Sequence, residues 1–353
     1  MAGLVRDAGR RLLEYGGTFL AAVGINFLLP HLAPGDPLIY VIGPEATELG
    51  PAERRAELAR YGLDEPLHVQ FVDYLLGALQ GDLGTSLTYG RPVTDVLAAR
   101  LPWTLLLVGS ALLLAVVLGT LLGAVSAWHE GDRTDIGLMA GVVVAMSAPG
   151  FWLGMLFIAV FAAWLGWFPA SGVRSGRGGT TALDVAHHLA LPVAALTFVR
   201  LGSIYLIARN TVLSTLGEDF LLFSRAKGLS DRRVLYGHAL PNSLLPVYTR
   251  FTLQVGVAIG GAVAIETVFA IPGIGRVLFD AALERDYPLL QGAFLVLTVT
   301  VIAANVVADL TYPLIDPRTG AGGPEGRPRL QPPFRKRCAQ YRSCRRADRS
   351  PHW

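Results

Sequence analysis

The chain has 353 residues, a net charge of +3 and a hydrophobic content of 52%, whereas charged residues make up only 16%. Its mean hydropathy of +0.46 is too high for an ordinary soluble domain, in which roughly a quarter of the residues are charged. This composition excludes a typical soluble globular protein and predicts a chain that lies mostly in lipid.

Six apolar segments are long enough to cross the hydrocarbon layer, which takes about 20 residues of helix. A single long apolar run satisfies its backbone hydrogen bonds in lipid only as a helix, so we expect an all-α polytopic membrane protein. Aromatic residues near the segment ends, such as Trp103, Trp128 and Tyr312, suit the membrane interface. The six predicted spans are Tyr15–Leu32, Trp103–Ala127, Ile136–Phe168, Leu189–Leu213, Val247–Ile271 and Leu289–Ile315.

Residues 1–102 are predicted to form an N-terminal anchor helix followed by a long region outside the membrane. The sequence LLPHLAPGDP at the end of the first span has no small-x-small cleavage site, which favours a retained anchor over a cleaved signal peptide. The segment from Pro34 to Arg100 is too long for a simple loop. Since AERRAELARYGL and VQFVDYLLGALQ carry helical periodicity, we expect short helices on the outer face, either as a platform for a partner or as a brace for an outer gate.

The distribution of lysine and arginine predicts which side of the membrane each loop faces. The outer region holds five arginines against ten acids, whereas the loop between spans four and five packs Arg225, Lys227, Arg232 and Arg233 into nine residues. That loop is therefore predicted to be cytoplasmic, and six spans then place both termini in the cytoplasm. The loop 129–135, with one arginine and three acids, argues weakly against this orientation.

The cytoplasmic loop, at about 214–246, is predicted to contain two short helices joined by a tight turn. STLGEDFLLFSRAK predicts the first helix, and Gly228 follows it at the position where a left-handed residue is favoured. Ser230 is a candidate N-cap, and Asp231 suits the positive end of the second helix. Pro241 is expected to end that helix, because proline lacks the backbone N–H that a helix interior needs.

The second helix of the cytoplasmic loop has an amphipathic pattern. Its apolar side is formed by Val234, Leu235 and Leu240, while most of its charge lies elsewhere. Two amphipathic helices projecting from a membrane suit a docking element for a partner protein. The alternative is a solvated linker, whereas a helix-turn-helix for DNA is a poor interpretation because the flanking spans would hold it against the membrane.

Ionisable residues inside predicted spans mark candidate pathway positions, because a charge in lipid is costly. Arg200 lies in the fourth span, Glu266 near the outer end of the fifth and Asp309 near the inner end of the sixth. Arg209 and Arg250 are expected close to the cytoplasmic face, where a long side chain reaches water. We interpret Arg200 and Glu266 as possible pathway or gating residues, with paired or interfacial charges as the alternative.

The sequence has no motif for bond chemistry. Its two lysines, Lys227 and Lys336, do not follow a glycine, which excludes a phosphate-binding Gly-Lys-Ser/Thr loop. His187 and His188 would point about 100° apart on a helix and have no third ligand nearby in sequence, so we expect no metal site. We therefore expect a chain that is not an enzyme and binds no cofactor itself.

The final segment, 319–353, is rich in proline, glycine and arginine and contains both cysteines, Cys338 and Cys344. This composition predicts a disordered basic tail that attracts anionic membrane lipid. An extension by a reading-frame change is the alternative.

The cytoplasmic loop contains RAKGLS followed by HALPNSLLPV, and further motifs occur before and after it. They are LAPGDP (32–37), YGLDEPLHVQFVDYL (61–75), GDLGTSL (81–87), GRPV (90–93), RLPWTL (100–105), APGFWLG (148–154), GWFPASG (166–172), HLALP (188–192), ETVFAIPGIG (266–275) and LIDPR (314–318). In this order they resemble the permease subunits of bacterial binding-protein-dependent ABC importers of the dipeptide, oligopeptide and nickel group. The resemblance covers nearly all of residues 10–318.

The resemblance implies a type I ABC importer permease in the bacterial inner membrane, with residues 103–318 as the permease core. Its implied partners are a second homologous permease, two ATP-binding subunits that use ATP and Mg, and an extracytoplasmic substrate-binding protein, with no nucleic acid. Peptides are the implied cargo, with nickel or another small solute as the alternative. The residues expected to dock an ATP-binding subunit are Arg225, Ala226, Lys227, Gly228, Asp231, Arg232, His238, Pro241 and Asn242.

The chain departs from the general family motif at Leu222, Phe223 and Ser224, where other importer branches carry Glu-Ala-Ala. A rival interpretation is a stand-alone secondary transporter or channel. Such a carrier uses discontinuous helices, and Pro149-Gly150 would supply one break in the third span.

Overall fold

The computed structural model describes residues 2–32, 36, 38–175 and 181–315. Within these residues the regular structure is helical apart from one isolated bridge between Thr85 and Pro92, which confirms the predicted all-α class. The helices are α1 Ala2–Leu32, α2 Ile39–Ile42, α3 Pro51–Arg60, α4 Leu67–Gln80, α5 Val93–Trp128, α6 Arg133–Ser147, α7 Gly150–Phe157, α8 Ala182–Leu216, α9 Asp219–Ala226, α10 Asp231–Val234, α11 Leu240–Val268, α12 Ile274–Glu284 and α13 Tyr287–Ile315.

Four helical stretches among the described residues are long and apolar enough to cross a membrane. They are Leu13–Leu32, Val93–Trp128, Ala182–Leu216 and Tyr287–Thr311, and the bent pair formed by α6 and α7 adds a fifth. Helix α11 occupies the predicted fifth span and is 29 residues long, which is enough to cross the hydrocarbon layer. It packs against α5, α8 and α12.

The predicted third span, Ile136–Phe168, is helical at the predicted position, but it is bent instead of straight. Helix α6 and the pair of α7 with its π-helical extension, Ile158–Trp164, meet at an angle of 105°. Ala148 has extended backbone angles, because the residue before a proline is pushed out of the helical region by the ring of Pro149. The helix break predicted at Pro149-Gly150 is therefore confirmed.

Helices α5 and α8 form the centre of the fold and approach each other closely at two glycines of α5. A Cβ atom at Gly123 would lie 2.8 Å from both the Ala208 Cβ and the Tyr205 carbonyl oxygen, and one at Gly119 would lie 3.1 Å from the Ile204 side chain. Small residues spaced four apart let membrane helices touch through their backbones. The core cluster around this pair includes Leu107, Leu196 and Ile265.

The outer region contains the two predicted amphipathic helices, α3 and α4. Helix α4 is tied to α1 because the Asn26 amide lies 3.0 Å from the Tyr74 hydroxyl oxygen. A cavity of about 260 Å³ opens between α1, α4 and the start of α13, lined by residues such as His31, Tyr61 and Tyr287. The predicted boundary after Pro102 falls inside α5, so the outer region continues into the second span without a break.

The chain divides into a main unit, Met1–Leu310, and a second unit that begins at Thr311. Of the second unit only the last residues of α13, to Ile315, are described. The predicted basic tail, 319–353, lies outside the described residues.

Candidate functional site

The cytoplasmic loop begins with α9 and turns at Gly228. Helix α9 is shorter than the predicted helix, because residues 214–216 still belong to α8 and α9 begins only at Asp219. The Gly228 amide donates to the Arg225 carbonyl oxygen at 2.9 Å, and the Leu229 amide donates to the Ser224 carbonyl oxygen at 3.4 Å. This pattern is a Schellman motif, which requires a left-handed residue after the helix. Gly228 has a φ of +79°, so the predicted role of this glycine is confirmed.

The second helix of the loop does not end at Pro241 as the sequence predicted. Helix α10 passes through a π-helical turn, Leu235–Ala239, directly into α11, and Pro241 occupies the start of that helix. The wider π turn accommodates a residue that lacks an N–H and whose ring would crowd the preceding turn. Ser230 stands at the N-cap position, but its side chain makes no capping hydrogen bond.

The apolar side of the second helix is not available to a partner, which corrects a second expectation. Val234 and Leu235 are buried, together with Ala239 and Leu221, against the inner ends of α5 and α8. The Thr215 and Ser243 hydroxyls, 2.9 Å apart, join α8 to the start of α11 beside this contact. The cytoplasmic loop is therefore held firmly on the two central helices.

The exposed side of the loop carries large apolar side chains among basic ones. Phe220, Leu222 and Phe223 of α9 are exposed by 42%, 60% and 71%. We define the docking surface as these residues together with Tyr236 and the exposed basic residues Arg225, Lys227, Arg232 and Arg233. Sequence reasoning treated Leu222 and Phe223 only as departures from a motif, although large apolar residues in a polar loop were a signal for a partner surface.

The other predicted docking residues have different surroundings. The Arg225 guanidinium lies 5.3 Å from the centre of the Trp128 ring, at the inner end of α5. Asn242 is exposed, and its amide donates to the His238 carbonyl oxygen at 2.7 Å, which supports the helix after the π turn. His238 is half-buried, while Ala226 and Asp231 are exposed.

Arg200, a predicted pathway residue, is half-buried in α8, and its backbone is close to Gln254 of α11. Its carbonyl oxygen accepts a hydrogen bond of 3.3 Å from the amide of Gln254, which also contacts Ser203. Gln254 is buried, and its side-chain oxygen has no hydrogen-bond partner among the described residues. No pattern in the sequence points to this polar contact between the fourth and fifth spans.

Glu266, the other predicted pathway residue, is fully buried at the outer end of α11. Its carboxylate accepts hydrogen bonds from the Thr104 hydroxyl at 2.7 Å and from the Arg276 backbone amide at 3.0 Å. The Ile274 amide donates in turn to the Thr104 hydroxyl at 2.8 Å. Glu266 therefore caps the start of α12 from the end of the preceding helix, and a Cβ at Gly273 would lie 2.3 Å from its carboxylate.

Two further buried carboxylates were missed by the sequence analysis. Asp286 accepts hydrogen bonds from the Ser86 hydroxyl at 2.5 Å, the Thr88 amide at 3.0 Å and the Leu289 amide at 3.1 Å, which ties the loop before α5 to the start of α13. Asp135 pairs with Arg209, with an oxygen-to-nitrogen distance of 2.7 Å. Arg209 therefore does not extend to water as predicted. Asp135 is one of the three acids of loop 129–135, and because it is paired with Arg209, that loop is weaker evidence against the predicted orientation.

Two other predictions concern side chains at the ends of spans. Asp309 accepts a hydrogen bond of 2.8 Å from the Tyr15 hydroxyl, which links α13 to α1. His187 lies 2.9 Å from the Trp167 carbonyl oxygen, and His188 lies 2.9 Å from the Asp184 carbonyl oxygen through its Nδ1. His188 thus contacts the backbone of its own helix, and His187 contacts the backbone of the segment before α8.

The sequence matches the family model described as "Binding-protein-dependent transport system inner membrane component" over residues 119–321. It is 35% identical to the oligopeptide transport system permease protein AppB of Bacillus subtilis, over 88% of this chain and 97% of that protein. It is 38% identical to the di/tripeptide transport system permease protein DppB of Pseudomonas aeruginosa, with the same coverages of 88% and 97%.

The chain is also similar to a glutathione permease and to a solved methionine transporter. The chain is 37% identical to the glutathione transport system permease protein GsiC of Salmonella typhimurium, over 87% of this chain and 96% of that protein. Its fold is similar to that of the MetNI methionine ABC transporter in an inward-facing conformation, with a TM-score of 0.52 and 16% sequence identity, over 62% of this chain and 96% of that chain.

Proposed function

The chain belongs to the family of binding-protein-dependent transport system inner membrane components, and from this membership we propose that it forms part of a translocation pathway for peptides. It is a multi-pass permease subunit of an ABC importer in the bacterial inner membrane. The names of its relatives, which refer to oligopeptides, di- and tripeptides and glutathione, support a peptide cargo. Nickel or another small solute is the alternative cargo.

The proposed complex contains this chain, a second homologous permease, two ATP-binding subunits and an extracytoplasmic substrate-binding protein. ATP and Mg would be used by the ATP-binding subunits, since this chain lacks a Gly-Lys-Ser/Thr loop. Closure of those subunits would push the cytoplasmic loop and rotate the spans to face outward, and reopening would release the cargo inward. The outer helices α3 and α4 would receive the substrate-binding protein.

The docking surface is the single structural observation that carries this proposal. Its basic residues and its exposed phenylalanines suit the apolar core and charged rim of a protein interface. The buried side of the same loop is fixed to α5 and α8, so a push on the docking surface would move the two central helices. A solvated linker would need neither the exposed apolar residues nor the rigid base.

The first test is to tag the full chain, solubilise native membranes gently and identify the proteins that co-purify. Wild type should recover a Walker-type ATPase and a second permease. Phe223→Asp should lose the ATPase, because it replaces the most exposed apolar side chain of the docking surface with a charge, and should keep the second permease. Leu79→Asp is the matched control, since Leu79 is exposed by 70% on the outer helix α4, against 71% for Phe223.

Two outcomes would contradict different parts of the proposal. If Phe223→Asp retains the ATPase, the docking surface is assigned wrongly. If wild type, folded in the membrane, recovers neither partner, the importer assignment of this chain is wrong.

Arg200 is proposed to face the pathway and to contact a peptide carboxylate, because a cation within a span is otherwise costly. The Arg200→Ala variant should take up peptides more slowly and discriminate less between free and amidated carboxyl termini. Uptake and cargo preference equal to those of wild type would contradict this role. Glu266, enclosed beneath α12, is proposed to act on the outer gate through that helix.

A further inference from the structure

Asp135 stands at the centre of a polar cluster at the inner ends of three helices. Its carboxylate receives two hydrogen bonds from the Arg209 guanidinium, at 2.8 Å and 2.7 Å. It also accepts from the Ser126 hydroxyl at 2.5 Å and from the Gly131 amide at 3.0 Å. The Tyr205 hydroxyl lies 2.5 Å from the Ser126 oxygen. We call Ser126, Asp135, Tyr205 and Arg209 the inner cluster.

The inner cluster joins α8 to two helices that precede it by many residues in the chain. Ser126 lies in the last turn of α5, Asp135 lies in the first turn of α6, and Tyr205 and Arg209 are one turn apart on α8. The exposed fractions of the two charged side chains are 12% for Arg209 and 6% for Asp135. A bidentate ion pair between a guanidinium and a carboxylate fixes the distance and the orientation of the two side chains. The cluster therefore holds the start of α6 in one position relative to α8.

The inner cluster is adjacent to the buried side of the cytoplasmic loop. Ala124 and Ala127, which flank Ser126, and Val212, one turn beyond Arg209, all contact that side of the loop. A displacement of the loop by a partner therefore reaches Ser126 and Arg209 through packed side chains. Because α5 and α8 are in close contact at Gly123, we expect a displacement of one helix to displace the other.

Helix α6 is held by α5 and α8 at few points. Within α6, all of which is described, Asp135 and Val142 are the buried residues. Met146 also packs closely on α8, since a Cβ at Gly202 would lie 2.2 Å from the Met146 Cγ. The pair between Asp135 and Arg209 is the ion pair that joins α6 to α8, and it lies at the end of α6 beside the cytoplasmic loop.

We infer that Asp135 and Arg209 are positioning residues that couple the third span to the cytoplasmic loop, so that movement of the loop also moves α6. This inference rests on the proposed function, because a partner must move the loop. Its consequence is specific to coupling: without the pair, the ATP-binding subunits still dock and hydrolyse ATP, but α6 no longer follows.

The test uses the purified complete importer in proteoliposomes and compares Asp135→Asn with Asp132→Asn. Asp132 is exposed in the same loop and its side chain makes no capping hydrogen bond, so it controls for the loss of a charge. Uptake of radiolabelled alanine di- and tripeptides is measured beside ATP hydrolysis. We expect Asp135→Asn to lower the number of peptides transported per ATP several-fold, and Asp132→Asn to leave that ratio unchanged.

A second measurement does not depend on cargo. Nitroxide labels at Ile136→Cys and Ser214→Cys, both exposed positions, report the separation of α6 from the inner end of α8, in a chain whose native cysteines are replaced by serine. With the pair intact, the distance distribution should stay the same with and without a non-hydrolysable ATP analogue. With Asp135→Asn it should broaden or shift when the analogue is added.

Each outcome decides the inference. An unchanged ratio together with unchanged distances in Asp135→Asn overturns it, whereas failure of the wild-type importer to transport or to bind its ATPase overturns the proposed function instead. If Asp135→Asn does not assemble, the double variant Asp135→Asn/Arg209→Gln replaces it, because it leaves no unpaired buried charge. Failure of both variants to assemble also overturns the inference, since a positioning pair is dispensable for assembly.

Discussion

At the residue scale, the buried carboxylates decide how the ends of the helices are held. Glu266 and Asp286 both accept backbone amides at helix starts and also bind a hydroxyl from a distant segment. A carboxylate in this position satisfies amides that have no partner within the helix. Glu266 was interpreted as a possible gating residue because it is an acid near the end of a span, and only its hydrogen bonds reveal that it supports α12.

The contact between Gly273 and Glu266 leads to a residue-scale prediction. Gly273→Ala should destabilise the protein by about 1–3 kcal/mol, because the added methyl group would overlap the Glu266 carboxylate in a packed site. Gly260→Ala is the matched control, since a Cβ there meets no heavy atom within 4 Å. Thermal unfolding of the two variants in detergent checks this. Equal melting temperatures would show that the Glu266 site relaxes around the methyl group.

At the element scale, the crossing of α5 and α8 organises the spans, and irregular helical turns redirect the others. The break at Pro149 was predictable because a proline restricts its own neighbour. The passage through Pro241 was not, because a π turn before a proline depends on the packing of Val234 and Leu235 against α5 and α8. A proline therefore ends a helix at Pro149, whereas at Pro241 the helical path continues.

The α5 and α8 contact gives an element-scale prediction. Gly123→Ala should force the two helices apart and lower the free energy of unfolding by about 1–3 kcal/mol, because a Cβ there would sit 2.8 Å from backbone and side-chain atoms. Gly109→Ala, in the same helix but with no heavy atom within 4 Å of the added Cβ, should be neutral. Denaturation in detergent compares the two. A variant at position 123 that is as stable as the one at 109 would mean that the crossing is loosely packed.

At the scale of the whole molecule, the family and the fold agree with an importer permease, and nothing in the described structure favours a stand-alone carrier over it. The broken third span, which a secondary transporter would also show, does not discriminate between the two. The source of energy distinguishes an importer permease from a carrier, because a permease moved by docked ATPases has no gradient-driven cycle of its own.

This difference gives a prediction for the complete importer in proteoliposomes. Peptide uptake should require ATP on the side of the cytoplasmic loop and should persist when ionophores dissipate the proton and sodium gradients. Vesicles that contain this chain without the ATPase subunits are the control and should show no uptake. Gradient-driven uptake in those control vesicles would instead identify the chain as a carrier.

The sequence by itself determined the membrane spans, the amphipathic outer helices and the left-handed turn at Gly228. These features depend on apolar periodicity and on backbone conformations that neighbouring residues set. Only the tertiary structure decided that Val234 and Leu235 face the protein while Phe220 and Phe223 face away, and that Asp135 pairs with Arg209, 74 positions along the chain. The burial of these side chains and the pairing of these charges depend on which helices meet in space. No local sequence pattern shows that two segments so far apart in the chain are in contact.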